Sequence, residues 1–243
     1  AGGLVHRAVG SAPRSAALNA AERALRYGYG RRPGDHRERP LFRALLAIVD
    51  RVLAERTYAV WPDMEALMRR EGISQFTLES HYPVGAFDAF GISFSTELGY
   101  TNLLTALDLA QIPLHAVDRG DDHPIVIAGG HSAFNPEPIS DFVDAAVAGD
   151  GEEVVLAITE VIREWKSEGR PGGREELLFR LAASGGVYVP RFYDATYDDA
   201  GFLLATTPNR AGVPDRVRKH TLMDLDAWPY PRKPLVPLAE TVH

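Results

Sequence analysis

Hydrophobic and polar residues follow two spacings along the chain, one typical of buried strands and one typical of amphipathic helices. Continuous apolar runs predict short buried strands at 57–61, 87–96, 123–130 and 144–150. Apolar residues three and four positions apart predict helices at 40–55, 63–71, 102–112 and 152–168, with shorter helices at 137–142 and 174–183. Strands that alternate with helices in this way indicate a parallel sheet with right-handed crossovers.

Residues 40–168 are therefore predicted to form a doubly wound, Rossmann-like α/β unit, because near-continuous apolar strands indicate a sheet covered on both faces. A helix and a small β-hairpin over 185–209, with "DDAG" as its turn, are expected next. The tail is proline-rich and predicts an extended connector, so that 169–243 forms a helix, a hairpin and a linker. Residues 1–39, rich in Ala, Gly and Arg, predict an irregular basic extension with no buried strand and one possible short helix at 16–27.

The carboxyl ends of the predicted parallel strands form the edge at which ligands bind in such sheets. Three turn segments, one after each of the last three strands, bring small, hydroxylated and imidazole groups to that edge. The candidate cofactor-binding residues are Ser95, Thr96, Gly129, Gly130, His131, Gly149 and Gly151. The Gly129-Gly130 pair lacks Cβ atoms, so a flat or phosphorylated group can approach the main chain there. Ordinary turn geometry for this pair and simple helix capping for "GDGEE" are the alternative explanations.

Residue types and motifs that several catalytic chemistries need are absent from the sequence. There is no cysteine, which excludes a disulfide framework, thiolate zinc sites, cysteine-ligated iron–sulfur clusters and cysteine nucleophiles within this chain. The histidines fit no metal-binding pair or HExxH pattern, and GxSxG, GxxxxGK[ST] and GxGxxG are missing. We therefore name no catalytic residue and no metal ligand.

The net charge of −7 is unevenly distributed along the chain. Residues 1–50 carry nine arginines and a charge of +5, whereas the remainder carries −12. The arginines are scattered with few aromatic residues between them, and the acidic body would repel phosphates, so no nucleic-acid partner is predicted. No apolar run is long enough to span a bilayer and no signal-peptide pattern is evident, so we expect a cytoplasmic protein without a membrane partner.

Several motifs occur in a fixed order in the second and third quarters of the chain. "AFGISFSTELGY" ends a strand in Ser and Thr, and "IAGGHSAFNPEP" and "DAAVAGDGEEVV" follow it. Together they resemble the amino-terminal cobalamin-binding-like domain of radical S-adenosylmethionine (SAM) proteins. "GGVYVPRFY" and "MDLDAWPYP" resemble the hairpin and connector that lead to the barrel of those proteins, so the resemblance covers roughly residues 40 to 243. It implies an accessory domain that holds a corrinoid (cobalamin), or that only covers the barrel and shapes substrate access.

The resemblance also implies parts that this sequence lacks. The CxxxCxxC motif that binds the [4Fe–4S] cluster, and hence SAM, is absent, so we expect a fragment whose catalytic barrel is missing and would be its main partner. The DxHxxG motif is absent too, so bound cobalamin would have no protein ligand from it. Residues 1–39 show neither the opening strand nor the Pro-Asp-x-Tyr-Glu loop of the family. Two alternatives stay open: a non-catalytic packing or interaction domain with an empty slot, and an independent flavodoxin-like enzyme that binds a small molecule.

Overall fold

The structure, a computed structural model, describes the backbone of residues 2–8 and, with side chains, residues 52–78, 80–224 and 226. The strands are β1 (Gly2–Ala8), β2 (Val52–Tyr58), β3 (Ala89–Ser93), β4 (Ile125–Gly129), β5 (Ala145–Val147), β6 (Val187–Tyr188), β7 (Tyr193–Tyr197) and β8 (Leu203–Pro208). The helices are α1 (Pro62–Glu71), α2 (Tyr100–Leu109), α3 (Gly151–Ser167) and α4 (Gly173–Ala183). Short 3₁₀ turns at His131–Phe134 and Glu137–Ile139 connect β4 to β5.

Strands β1 to β6 form one mixed sheet in the order β2-β1-β3-β4-β5-β6. Its three central strands are parallel, with Ser93 of β3 opposite Gly129 of β4 and Ala128 of β4 opposite Ala146 of β5. β1 runs antiparallel to β3, and β6 runs antiparallel to β5. The predicted α/β class with parallel strands at its centre is confirmed, while the flanking β1 and β6 make the sheet mixed rather than wholly parallel.

Helices pack against both faces of β3. Successive residues of a strand point to opposite sides of the sheet, so the neighbours of Ala89 and Phe90 identify what covers each face. Ala89 belongs to a hydrophobic cluster that includes Ile158 of α3 and Leu178 of α4. Phe90, the next residue, lines a small cavity together with Leu103 of α2. The buried core therefore lies on both sides of the central strands, and the turns lie at the two ends of the sheet.

The predicted boundaries of α1 and α3 agree closely with the observed ones. α1 begins at Pro62 and ends where Gly72 adopts a left-handed conformation, with φ of 65°. α3 begins directly after the "GDG" turn and carries Glu152 and Glu153 in its first turn. Acidic side chains at that position are favoured by the positive end of the helix dipole.

The prediction that residues 1–39 form an irregular extension is wrong at residues 2–8. Residues 2–8 form β1, which lies between β2 and β3 in the sheet. The segment "GGLVHRA" holds few large apolar residues, so its pattern does not predict a strand. The helix predicted at 16–27 and the proline-rich stretch after residue 226 lie outside the described residues.

The helix predicted at 40–55 is wrong over its last residues, because β2 begins at Val52. The rest of that predicted helix lies outside the described residues. Glu55 and Thr57 occupy buried positions of β2. Glu55 accepts a hydrogen bond from the Ser80 hydroxyl, and Thr57 donates one to a main-chain carbonyl. Because these inward residues are polar, no apolar alternation marks the strand.

The predicted hairpin divides into two parts in the structure. Val187–Tyr188 joins the main sheet as β6, and only β7 and β8 form a separate two-stranded sheet. The ring of Tyr193 at the base of this pair packs against that of Tyr188, with centroids 4.9 Å apart. The side chains of residues 194–207 are exposed, so the pair projects from that base.

Residues 1–7 and 54–221 form one compact unit, and residues 8–53 and 222–243 form a second. The second unit consists almost wholly of residues outside the described part of the chain. Every feature below lies in the first unit. Within the described ranges, no helix combines the length and the apolar character needed to traverse a lipid bilayer.

A buried cluster of three charged side chains joins the loops at the amino ends of β4 and β5. Asp144 Oδ2 accepts hydrogen bonds of 2.8 Å from Arg119 Nη1, from Arg174 Nη2 and from the main-chain N–H of Val126. The side chains of Asp144 and Arg119 are fully buried. Burial lowers the pKa of Arg119, while the Asp144 carboxylate acts in the opposite direction. One carboxylate therefore holds two arginines, and both arginines in turn donate to the carbonyls of the surrounding loops.

Candidate functional site

The turns that follow β3 and β4 meet at the carboxyl edge of the sheet. The main-chain N–H of Phe94 donates to the Gly129 carbonyl over 2.8 Å, and that of Ser132 donates to the Phe94 carbonyl over 3.2 Å. These hydrogen bonds continue the pairing of the parallel strands, in which Ser93 lies opposite Gly129. The structure thus places the predicted residues Ser95 and Thr96 beside the turn that follows Gly129.

The two glycines after β4 have different roles. Gly130 has a φ of 87°, and a Cβ atom there would lie 2.6 Å from the Phe94 carbonyl oxygen. Gly129 is uncrowded, since its Cβ would lie 4.0 Å from the nearest atom, a carbonyl oxygen of β3. The space at Gly130 that the sequence suggested for a flat ligand is therefore filled by the main chain of β3's own turn.

Tyr100, at the start of α2, fixes the turn that follows β4. Its hydroxyl lies 2.8 Å from the Ser132 carbonyl and 2.9 Å from the Asn135 carbonyl, within hydrogen-bond distance of both. Its ring packs edge-on against Phe94, with centroids 5.3 Å apart. Nothing local in the sequence marks Tyr100 for this role, because its partner Ser132 lies 32 residues further along the chain.

The carboxyl edge presents both polar and apolar side chains to solvent. Ser95, Thr96 and His131 are exposed there. Leu98 is 88% exposed and Phe134 is 55% exposed, in the turns after β3 and β4. The edge therefore presents hydrogen-bonding groups together with two exposed apolar side chains.

The turn after β5 contacts a later segment of the chain. The Ala148 carbonyl accepts from the His220 N–H over 2.8 Å, and the Asp150 N–H donates to the His220 carbonyl over 3.0 Å. Gly149 lies between them with a φ of 114°, and a Cβ there would be 1.9 Å from the His220 carbonyl oxygen. The His220 ring nitrogen Nε2 lies 2.7 Å from Glu153 Oε2. The "GDGEE" turn is therefore in direct contact with residue 220.

The third turn lies beside the first two rather than apart from them. The 131–134 turn, which contains the predicted residue His131, contacts β5. Lys219 Nζ lies 5.9 Å from the centre of the Phe134 ring, so the segment before His220 reaches the same turn. Gly151 begins α3 in open space, with no atom within 4 Å of a Cβ placed on it. All three predicted segments thus lie at one edge, with residues 219–220 across part of it.

The glutamate of the "PEP" turn contacts the sixth strand. The Tyr188 hydroxyl donates to Glu137 Oε1 over 2.7 Å. Burial, and next the hydrogen bond to Glu137, raise the pKa of Tyr188 well above its usual range. The sequence pattern places Tyr188 only in the predicted hairpin, and nothing local indicates that it pairs with Glu137, 51 residues away. The contact joins the turn after β4 to β6.

Tyr188→Phe should lower the free energy of unfolding by about 0.5–1.5 kcal/mol at neutral pH, because the hydrogen bond to Glu137 is lost. Wild-type stability should also fall as pH rises above about 10, since tyrosine in the unfolded chain ionises there while folded Tyr188 stays protonated. Urea unfolding measured between about pH 8 and 11 should show a shallower loss in the variant. Tyr197→Phe, at an exposed position, is the control and should match the wild type. Equal alkaline losses in wild type and Tyr188→Phe would contradict the role of Tyr188.

A second concave region lies at the opposite, amino edge of the sheet. It is an open groove with a mainly polar surface and charged side chains of both signs, among them Asp88, Asp121, Lys166, Arg170 and Arg174. Lys166 Nζ lies 2.6 Å from Asp88 Oδ1, so charges in the groove pair with each other. The groove therefore indicates no preference for a ligand of one charge. No single sequence segment marks it, because its charged residues come from loops before strands, from the ends of helices α3 and α4 and from the loop between those helices.

The described residues hold no group of three or more His, Asp and Glu side chains placed to bind a metal ion.

The family model for the amino-terminal region of radical SAM proteins matches residues 41–190. The chain belongs to this family. The match covers more than half of the 243 residues. The resemblance stated from the sequence motifs is therefore confirmed at the level of the radical SAM amino-terminal region.

This radical SAM amino-terminal region extends from before β2 to just after β6. It includes the three parallel strands, the four helices and the three turns of the carboxyl edge. The separate β7–β8 pair and the segment that reaches His220 come after it in the chain. The chain has no significant match among curated proteins, and none among solved structures.

Proposed function

We propose that this region is an accessory domain of a radical SAM enzyme, which covers the catalytic barrel and shapes access to it. The observation that carries the proposal is the family match over residues 41–190. The iron–sulfur cluster and SAM belong to the barrel in this proposal, because this chain has no cysteine to ligate a cluster. In this proposal the domain is of the doubly wound, cobalamin-binding-like type. The helices on both faces of β3 support that assignment.

The carboxyl edge is the surface that we assign to the barrel. Leu98 and Phe134 are large, apolar and exposed at this edge, and covering them would remove apolar surface from water. The chain also crosses the same edge at His220, where it is held by two main-chain hydrogen bonds. A contact made here would cover the ends of the parallel strands and leave the amino-edge groove free.

Reading the coding frame beyond His243 tests the accessory role. We expect a CxxxCxxC motif after the proline-rich connector, in the same frame. The full-length product, reconstituted with iron and sulfide without oxygen, should then show the electron paramagnetic resonance signal of a reduced [4Fe–4S] cluster. This chain alone is the control and should take up no such cluster, since it has no cysteine. A different catalytic domain in that frame would contradict the proposal.

A corrinoid at the carboxyl edge is the second candidate function. The exposure of Ser95, Thr96 and His131 at one edge favours it, because such groups can hydrogen-bond to ligand amides and phosphates. The residues do not fit a slot floored by bare main chain at Gly130 and Gly149, because the chain itself fills both positions. A corrinoid would instead contact the exposed side chains, and we derive no chemistry through it.

Titration with hydroxocobalamin, followed by visible absorbance, separates the two candidate functions. If the domain only covers a barrel, the spectrum should remain the sum of the protein and the free corrinoid at every ratio. A saturable change in the corrinoid bands that is lost in His131→Ala would support corrinoid binding at the carboxyl edge. Ser140→Ala, away from the predicted residues, is the control and should behave as wild type.

A further inference from the structure

Among the described contacts, the segment from 213 to 221 is held at its start and then again at Lys219, which lies over the Phe134 ring, and at His220. Val213 belongs to the hydrophobic core, and the Pro214 carbonyl accepts a hydrogen bond of 2.8 Å from the Tyr193 hydroxyl. The side chains of Arg216, Arg218 and Lys219 are then exposed. The next main-chain hydrogen bonds are those of His220 with the β5 turn.

The contact at His220 consists of a few separable interactions. Two main-chain hydrogen bonds join His220 to Ala148 and Asp150. One side-chain contact of 2.7 Å joins it to Glu153, whose side chain is about half exposed. Gly149 provides the space that the His220 carbonyl occupies. Segments with few buried apolar contacts and exposed hydrogen bonds open locally at much lower free energy than the core.

We propose that residues 215–221 form a strap that opens and closes over the β5 end of the carboxyl edge, with Gly149 and Glu153 as its seat. In the closed state, which the structure shows, the strap occupies the main-chain donor and acceptor of the β5 turn. In the open state the Ala148 carbonyl and the Asp150 N–H lose His220 as their hydrogen-bond partner, and the notch at Gly149 opens. That arrangement fits an extended peptide strand, since the strap itself pairs with this turn as a parallel β-bridge.

The strap would control access to the edge that the proposed function assigns to the barrel. Only this biological role rests on the proposed function; the opening and closing of the strap does not. Closing the strap completes the edge with the chain's own backbone. Opening it adds a notch at Gly149, in the turn after β5, the strand that the 131–134 turn contacts. Access to this part of the edge is therefore set by the position of His220.

Hydrogen–deuterium exchange of the whole chain, read by mass spectrometry, tests the strap. In the wild type, the amides of Asp150 and His220 should exchange together and at least about a hundredfold faster than the buried Val126 amide. In Gly149→Ala, a methyl group would occupy the place of the His220 carbonyl. The amides of Asp150 and His220 should then lose their protection from exchange, while the Val126 amide keeps its protection.

Two alanine variants control for the backbone effect of the substitution. Gly201→Ala places a side chain at a φ of 84° without crowding, and Gly151→Ala lies in the same "GDGEE" motif with open space around it. Neither should change exchange at Asp150 or His220. Loss of protection in either control to the extent seen in Gly149→Ala would overturn the assignment of Gly149 as the seat.

Glu153→Gln leaves Gly149 and the main-chain hydrogen bonds to His220 in place. It therefore tests the strap even if Gly149→Ala fails to fold. It should raise the exchange rates of the Asp150 and His220 amides about two- to fivefold, as expected for loss of a partly exposed charged partner. Unchanged rates would overturn the role of Glu153. Wild-type exchange of both amides at the Val126 rate would overturn the strap itself. Neither exchange result depends on cobalamin binding or on the downstream coding sequence, so the proposed function fails or holds separately.

Discussion

Asp144→Asn is expected to lower the free energy of unfolding by about 3–5 kcal/mol, because it leaves two buried arginines without their shared carboxylate. Arg119 and Arg174 each donate to the same Asp144 oxygen over 2.8 Å. The arginines cannot reach water without moving the loops that they bind, since their other nitrogens, apart from the buried Arg174 Nε, donate to loop carbonyls. The asparagine keeps the size of the side chain, so the loss reports the charge.

Urea unfolding of wild type and variant, followed by circular dichroism, measures this loss. Asp108→Asn is the matched control, because Asp108 pairs with Arg69 over 2.5 Å with both side chains about half exposed. Exposed pairs contribute little to stability, so the control should unfold at nearly the wild-type urea concentration. Similar midpoints for the two variants would show that the buried cluster does not hold the loops as we infer.

Gly130→Ala is expected to lower the free energy of unfolding by about 2–4 kcal/mol. Two physical effects add at this position. An alanine would be held at a φ of 87°, and its methyl group would lie 2.6 Å from the main-chain oxygen of Phe94. Relief would require the turns after β3 and β4 to separate, which would break the hydrogen bond from Ser132 to Phe94.

The neighbouring Gly129→Ala is the control, because it adds the same methyl group with no contact closer than 4.0 Å. It should cost less than about 1 kcal/mol. Thermal unfolding monitored by circular dichroism compares the pair directly. A larger loss for Gly129→Ala than for Gly130→Ala would contradict the assignment of Gly130 to a main-chain crossing.

The central parallel strands and the long helix were predictable because burial there is apolar and periodic. Ile125–Gly129 is a continuous apolar run, and Val154, Ile158, Ile162 and Trp165 recur on one face of α3. The order of these elements also predicts that their turns share one edge. β2 was misassigned at its start, because its inward Glu55 and Thr57 are polar and find their partners far along the chain.

The roles of the site residues were less predictable than their location. The sequence shows that glycines follow β4 and β5, but not what fills the space beside them. Phe94 fills it at Gly130, and His220, which is 71 residues further along, fills it at Gly149. The local sequence pattern does not reveal contacts between segments that are distant in the chain. The hydrogen bond from the Tyr188 hydroxyl to Glu137 is another such contact. Cofactor binding at these residues stays a prediction.

The position of β1 has a consequence for the order of assembly. Val5 lies opposite Phe90 in the sheet, so the first strand of the chain closes a very long loop when it pairs. Such closure costs entropy before any contact compensates for it, which slows folding. β2 cannot join the sheet until this strand has arrived, because β1 lies between β2 and β3. The stretch with the weakest pattern in the sequence is therefore the one on which completion of the sheet waits.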